Sequence, residues 1–311
     1  MTLPDTARAT GIDLSLLPPP DVIEALDFET ILADRKARLL ELTPTDRRAE
    51  MAATLSLETE PVTLLLEEMA YRELMLRSRI NDAARQCFLA SARGSNLDHL
   101  AAFFGVKRLV TDPGNPNAIP PIAPTMEKNE RLRSRAQLAV EGMSTAGPSE
   151  SYRYHAISAH GAVEDARVIS PVPGQVVVSI LSRANDGIPT QDVLDAVSVH
   201  LTAEHIRPMT DHVIVQPAEI VPFAVEAVIT LYPGPSPEPV MAAANAALQS
   251  TLNGLRRIGY DIARSAIYAA LHQPGVQHVN ILSPASDIEI SDTQCGRCDL
   301  IALSLAGEPR V

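Results

Sequence analysis

EPVTLLLEEMAYRELMLRSRINDAARQCFLASARGSNLDHLAAFFGVKR, residues 60–108, carries most of the information in this chain. Thr59 and Glu60 can cap a helix, and Pro61 suits its first turn, where a missing N–H costs nothing. From there Val62, Leu66, Met69, Leu76, Ile80, Ala83, Cys87 and Ala90 recur at spacings of three and four, broken at Glu73. That is a heptad seam, and Leu64, Leu65, Leu74 and Met75 lie off it, so the helix is apolar on more than one side. Glu68 precedes Arg72, and Glu73 precedes Arg77, by four residues, the acid-first order that supports an exposed face. The spacing predicts a helix from Pro61 to Arg93 that Gly94 ends in the left-handed conformation, followed by a short helix. Such a rod would be about 50 Å long, more than a compact domain needs, which points to a bundle shared with other chains.

Working outward towards the N-terminus, residues 1–26 read as an arm. Met1 to Gly11 is polar and expected to fray, and Leu14 to Pro20 is expected to be extended because Pro18, Pro19 and Pro20 bar a helix. Asp27 caps a helix with Phe28, Ile31, Leu32, Leu39 and Leu42 on one stripe, and Thr43-Pro44-Thr45-Asp46 reads as a capping box opening a second helix through Met51 and Leu55. Residues 27–111 form the helical, bundle-forming region. Residues 112–126, with five prolines and no period, are expected as a semi-rigid linker.

Beyond the linker the pattern changes. Helices are expected at Glu127 to Gly142 and Pro148 to Ala159, then strands at Val163 to Ile169 and Val176 to Ser182, a helix at Gln191 to Glu204 and a strand at His212 to Gln216. A second unit has a strand at Phe223 to Leu231 that alternates poorly and is expected to be covered on both faces. Helices at Val240 to Arg257 and Ala263 to His272, and a strand at Val276 to Leu282, complete it. Short strands are expected at Ile288 to Ile290 and Leu300 to Leu305. The fold class is α+β: a long-helix region followed by two small α/β modules, 127–217 and 218–311. The repeated strand, helix, strand order hints at duplication.

The composition excludes several functions. The 311 residues are 46% hydrophobic and 21% charged, ordinary for a folded chain of two or three domains. The 26 basic and 38 acidic residues give −12, with no cluster of Lys and Arg, so neither nucleic acid nor an anionic membrane is an expected partner. No signal sequence or long apolar run is present, so the expected place of synthesis and use is the cytoplasm or a particle assembled there.

Catalytic chemistry finds little support. Cys295-Gly-Arg-Cys298 could be redox active or half a zinc site, but a redox pair needs a helix after it and residues 299–305 read as strand. His278 alone is near enough in sequence to help with zinc, so surface-loop cysteines are the plainer reading. Cys87 completes an odd count of three. His155 with His160 and His200 with His205 are five apart and point to different helix faces. Gly142 to Gly147 is one residue too long for a nucleophile elbow and lies between helices. Glu58, Glu60, Glu67 and Glu68 suit a helix N-terminus. Neither a cofactor nor a metal ligand set is expected. The readings that remain are a structural interaction protein, an assembly chaperone absent from the finished structure, and a small zinc- or thiol-dependent enzyme using the CxxC.

The run YRELMLRSRINDAAR from Tyr71, then NLDHLAAFFGVKR from Asn96, resembles the baseplate assembly protein J family of contractile-tailed phages and R-type pyocins. Three further stretches are similar to the same family in the same order: IDLSLLPPPDVIEALDFETILADRKARLLEL from Ile12, GMSTAGPSESYRYHAISAHGAVEDARV from Gly142 and GYDIARSAIYAALHQPGVQHV from Gly259. The resemblance implies a non-enzymatic baseplate wedge subunit of a phage, tailocin or related injection particle. In that family two copies of this protein join the smaller wedge protein I through an N-terminal bundle, the C-terminal domains link wedges into a ring, and the ring holds tube and sheath until contraction is triggered. It implies contacts with other baseplate and sheath proteins. Combined with the seam, it assigns the bundle interface to Phe28, Ile31, Leu39, Val62, Leu66, Met69, Leu76 and Ile80. It assigns the contact between wedges to Ile262, Ile267, Leu271 and Val276.

Overall fold

The computed structural model describes residues 12–306 apart from 19, 145 and 235, so the expectation of a frayed Met1 to Gly11 lies outside the described residues. The chain is α+β and divides into two compact units, a helical one over residues 12–103 and a mixed one from Phe104 onwards.

In the helical unit, α1 (Phe28–Leu42) begins at Asp27, whose carboxylate accepts from the Thr30 N–H at 2.9 Å. Thr43 does not open a capping box. Its hydroxyl donates back to Leu39 O at 2.8 Å, closing α1, and Pro44 leads through a 3-10 turn into α2 (Arg48–Leu55). Arg48 donates to Glu41 O in the last turn of α1 and to Thr43 O just beyond it. The arm is less extended than expected, because Leu14–Leu16 makes one 3-10 turn before the prolines. α3 (Pro61–Arg85) starts at its proline as expected but ends eight residues before Arg93, at about 37 Å. Side chains take over the terminal backbone groups there. Ser91 Oγ donates to Arg85 O, and Gln86 Oε1 accepts from the Arg93 N–H and from Asn96 Nδ2. Gly94, at φ +55°, opens α4 (Gly94–Ala102) and does not end α3.

The mixed unit opens with a hairpin where an extended spacer was expected. β1 (Val110–Asp112) pairs antiparallel with β2 (Thr125–Met126), and Asn115 and Ile122 exchange both backbone hydrogen bonds at 3.0 and 2.9 Å. A Cβ on Gly114 would lie 2.4 Å from Ile122 O, so only glycine fits the turn. The hairpin is rooted in a buried ion pair. Glu127 Oε2 accepts from Arg135 at 2.6 Å, with both side chains almost wholly excluded from solvent. It also accepts the Leu109 N–H at 3.1 Å, while Arg135, on α5 (Asn129–Leu138), donates to Lys107 O and Ser158 Oγ. Arg131 donates to the carbonyls of Ile157, Gly161 and Val163. Burial beside these groups lowers its guanidinium to about 10.

Two three-stranded sheets follow. In the first, β4 (Gln175–Ser182) lies between antiparallel β3 (Val163–Ile169) and parallel β5 (His212–Pro217). Helices α6 (Ser149–Ala159) and α7 (Gln191–Leu201) cover it, with Tyr152, Ala156, Val193, Val197 and Leu201 packed on Val163, Ala166, Val178 and Ile180. In the second, β6 (Glu219–Leu231) lies between antiparallel β7 (Val276–Ser283) and parallel β8 (Gln294–Leu305). α8 (Pro237–Leu255) and α9 (Arg264–Leu271) cover Val225, Ala227 and Ile229, which alternate with the exposed Glu226 and partly exposed Val228 and Thr230. β6 is thus covered by helices on one face, not two. Both central strands have one antiparallel and one parallel neighbour, but β4 is the second strand of its sheet in chain order and β6 the first. The connections therefore differ and do not repeat one motif. Ile288 forms a single bridge with Ile262 and no strand.

β5 runs into β6 with Ala218 alone between them, and the Ala218 N–H bonds Ile180 O in the first sheet while the Glu219 N–H bonds Thr293 O in the second. Leu181, Ala218, Ile258 and Cys295 form a small core at this junction. Asp165 of β3 accepts the Ile258 N–H at 3.2 Å and an Arg153 N–H at 3.1 Å. Glu127→Ala should strip the counter-charge from two buried guanidiniums and cost about 3–5 kcal/mol, read as a lowered urea midpoint with unchanged slope.

Candidate functional site

α3 turns its small and polar residues inward. Thr63, Ala70 and Asn81 are buried, and Ala70 packs in one cluster with Ile31 and Leu32 of α1, with Phe28, Leu66 and Leu74 around them. This inward row, Thr63, Leu66, Ala70, Leu74 and Asn81, is a second heptad seam, and only Leu66 belongs to the row read from the sequence. Asn81 clamps the arm. Its Nδ2 donates to Glu24 O at 2.9 Å and its Oδ1 accepts the Glu24 N–H at 3.2 Å, the exchange a strand neighbour would make. The signal was present in the sequence, but an asparagine within a helix reads as solvent-facing.

The large apolar residues point the other way. Leu64, Leu65, Met69, Met75, Leu76 and Ile80 are all at least half exposed, Leu76 at 65%. Of the residues assigned to a shared bundle, Phe28, Ile31 and Leu66 pack α1 onto α3 within this chain. Leu39 and Val62 are half-buried, and Met69, Leu76 and Ile80 are exposed. Glu73, which broke the seam, joins the two helices: its carboxylate accepts from Arg35 of α1 at 2.8 Å and from Arg77 at 2.7 Å. The hydrogen bond from Arg35 holds that carboxyl below its ordinary range. A cleft of about 370 Å³ lies beside this pair, lined by Ile31, Leu39, Leu42 and Leu66 with Arg38 and Asp34.

The four residues assigned to a contact between wedges sit elsewhere than a docking surface requires. Ile262, Ile267, Leu271 and Val276 are at most 2% exposed and belong to the core between α9, β6 and β7. They read as a surface stripe because α9 is amphipathic, and the sheet of their own module takes that face. The exposed large apolar residues of α9 and β7 are Tyr268 and Leu282.

The CxxC lies on β8, not in a surface loop. Cys295 is fully buried in the junction core, and burial raises its thiol to about 11. Cys298 is partly buried and also raised, by burial first. Among the described residues no three His, Cys, Asp or Glu side chains come together as a metal set, and no helix is long and apolar enough to cross a membrane. His155 of α6 and His200 of α7 meet across the two helices, a pairing that the five-residue spacings to His160 and His205 did not suggest.

Family models match three successive segments: the baseplate J-like N-terminal domain over residues 58–115, the central domain over 144–217 and the C-terminal domain over 223–304. The chain is 47% identical over 287 residues to baseplate protein J of Escherichia phage P2, covering 92% of this chain and 95% of that protein. Among solved structures, a chain of the anti-feeding prophage baseplate aligns with a TM-score of 0.40 at 13% identity, over 59% of this chain and 43% of that one.

Exposed Cys87 should react with iodoacetamide near neutral pH, while Cys295, protonated and enclosed, should stay unmodified until the chain is unfolded; peptide mass spectrometry distinguishes the two.

Proposed function

The chain belongs to the baseplate J family and is a structural protein of a contractile-tail baseplate, and from that premise we propose that it is the wedge subunit that closes the baseplate ring. The observation that carries the proposal is the outward face of α3. Burying a large aliphatic side chain stabilises by about 1.5–3 kcal/mol, so a helix that leaves six of them in water while spending alanine, threonine and asparagine on its own core is built for covering by another chain.

The occupants we propose are a second copy of this chain and the smaller wedge protein I, joined in a helical bundle on Val62, Met69, Leu76 and Ile80. Other baseplate and sheath proteins are its further contacts, and the particle is assembled in the host cytoplasm. The mixed unit from Phe104 onwards makes the contact between wedges, because a closed ring needs an interface beyond the one inside each wedge. Of the boundaries expected from the sequence, those at residues 26 and 217 are kept as proposals, while those at 111 and 126 fall within the β1–β2 hairpin and give way to one at Phe104. The ring holds tube and sheath extended and rearranges when receptor binding reaches the baseplate, so the sheath contracts. This role needs interfaces that switch and no turnover chemistry, and a finished particle would contain the protein, which an assembly chaperone would not. Mass spectrometry of purified tails separates the two.

Produced alone, the protein should self-associate, and co-production with the smaller wedge protein should yield a defined hetero-oligomer by light scattering. A stable monomer indifferent to that partner would remove the bundle from the proposal. Leu76→Asp and Ile80→Asp alter side chains already in water, so circular dichroism and thermal midpoint should be unchanged while partner capture is lost. Tyr268→Asp or Leu282→Asp should leave capture intact and, where the ring contact falls on α9 and β7, leave free wedges and no closed baseplates by electron microscopy.

A further inference from the structure

His155, in the middle of α6, and His200, in the last turn of α7, face each other with Nδ1 of the first 3.3 Å from Nε2 of the second. That separation is within reach of a hydrogen bond between the rings, and it also matches another geometry. Two imidazole nitrogens each about 2.0–2.1 Å from one tetrahedral zinc ion stand about 3.3–3.4 Å apart.

The second nitrogen of His155 is arranged as that geometry requires. Its Nε2 lies 3.1 Å from Gly142 O, so an Nε2–H donates to a backbone carbonyl and the Nδ1 lone pair is left facing His200. The carbonyl reaches this position because residue 142 is glycine. A Cβ there would lie 2.1 Å from the Tyr154 ring, which packs edge-on against His155 with centroids 5.1 Å apart. Both imidazoles are half-buried, and burial is the first cause holding each below its ordinary pKa, so both are neutral ligands at physiological pH. His205, in the exposed turn after α7, further opposes charging of either ring.

We propose that His155 and His200 form a two-imidazole chelate for a divalent first-row cation, with zinc as the expected ion and water completing its coordination. The pair ties α6 to α7 over the helical face of the first sheet. Binding needs no oxidant and releases no net proton: the ion takes the lone pairs of His155 Nδ1 and His200 Nε2, and His200 carries its single ring proton on Nδ1. With two protein ligands in place of the three or four of structural and catalytic sites, the site is an exchangeable staple and not a folding requirement. Imidazole pairs suit zinc, nickel and copper and disfavour magnesium and calcium.

The test is calorimetric titration of zinc chloride into the full chain near neutral pH, with histidine proton and carbon resonances followed by NMR. One saturable site per chain is expected, with the ring signals of two of the eight histidines shifting most and the thermal midpoint rising. His155→Ala and His200→Ala should each abolish that site. A Cys295→Ser, Cys298→Ser double variant should retain it, and acidification that protonates the rings should release the ion. Magnesium should produce none of these changes. Absence of saturable binding to the intact protein, binding that survives loss of either ring, or binding that follows the cysteines would overturn the proposal. The NMR measurement uses the unaltered chain, so a variant that fails to fold does not spare it.

Discussion

Helix α3 has one face that fits α1 and, among the described residues, other faces left exposed, and the organisation of the N-terminal third follows from that division. Close approach of two helices requires a small residue at the crossing, and Ala70 provides it against Ile31 and Leu32. With Thr63, Leu66, Ala70, Leu74 and Asn81 on that face, the remaining large side chains Leu64, Leu65, Met69, Met75, Leu76 and Ile80 point outward. The helix cannot satisfy both with one orientation. Arg35, Glu73 and Arg77 fix the orientation, because rotating α3 by one residue position would part Glu73 from Arg35 and release Asn81 from the arm.

The mixed unit solves a different problem, how to join two small sheets without a long linker. One strand serves both, with Ala218 between β5 and β6, and the four-residue core at Leu181, Ala218, Ile258 and Cys295 is too small to hold the joint alone. Polar ties complete it: Asp165 to the Ile258 N–H, and Arg167 to Asp292 at 2.9 Å. Cys295 belongs to this joint as a small apolar side chain, which accounts for the CxxC without invoking sulfur chemistry.

The proposed ring role asks for rigid parts joined by surfaces of limited area. The buried Glu127–Arg135 pair makes the entry to the mixed unit rigid, because separating those charges in a dry environment is costly. The outward face of α3 is non-directional, since aliphatic contacts tolerate sliding where hydrogen-bonded ones do not.

Much of the mixed unit was legible in the sequence. The limits of β3 were read without error, and those of β4, β5, β7 and α9 to within a residue, because alternating branched side chains between Pro-Gly turns leave few competing registers. The resemblance carried by residues 71–108 and three other stretches fixed the family. What the sequence by itself left open was which apolar stripe each helix spends on its own core. α3 carries two rows that share Leu66 and otherwise lie one position apart, and periodicity cannot rank them, since the choice depends on the fit of Ala70 against α1 and on the ion pair that Arg35 of α1 offers. For the same reason Ile262, Ile267, Leu271 and Val276 read as surface and proved to be core. The end of α3, the hairpin in 112–126 and the meeting of His155 with His200 rest on bonds to partners distant in sequence or outside regular helix, and only the tertiary structure brings those partners within reach.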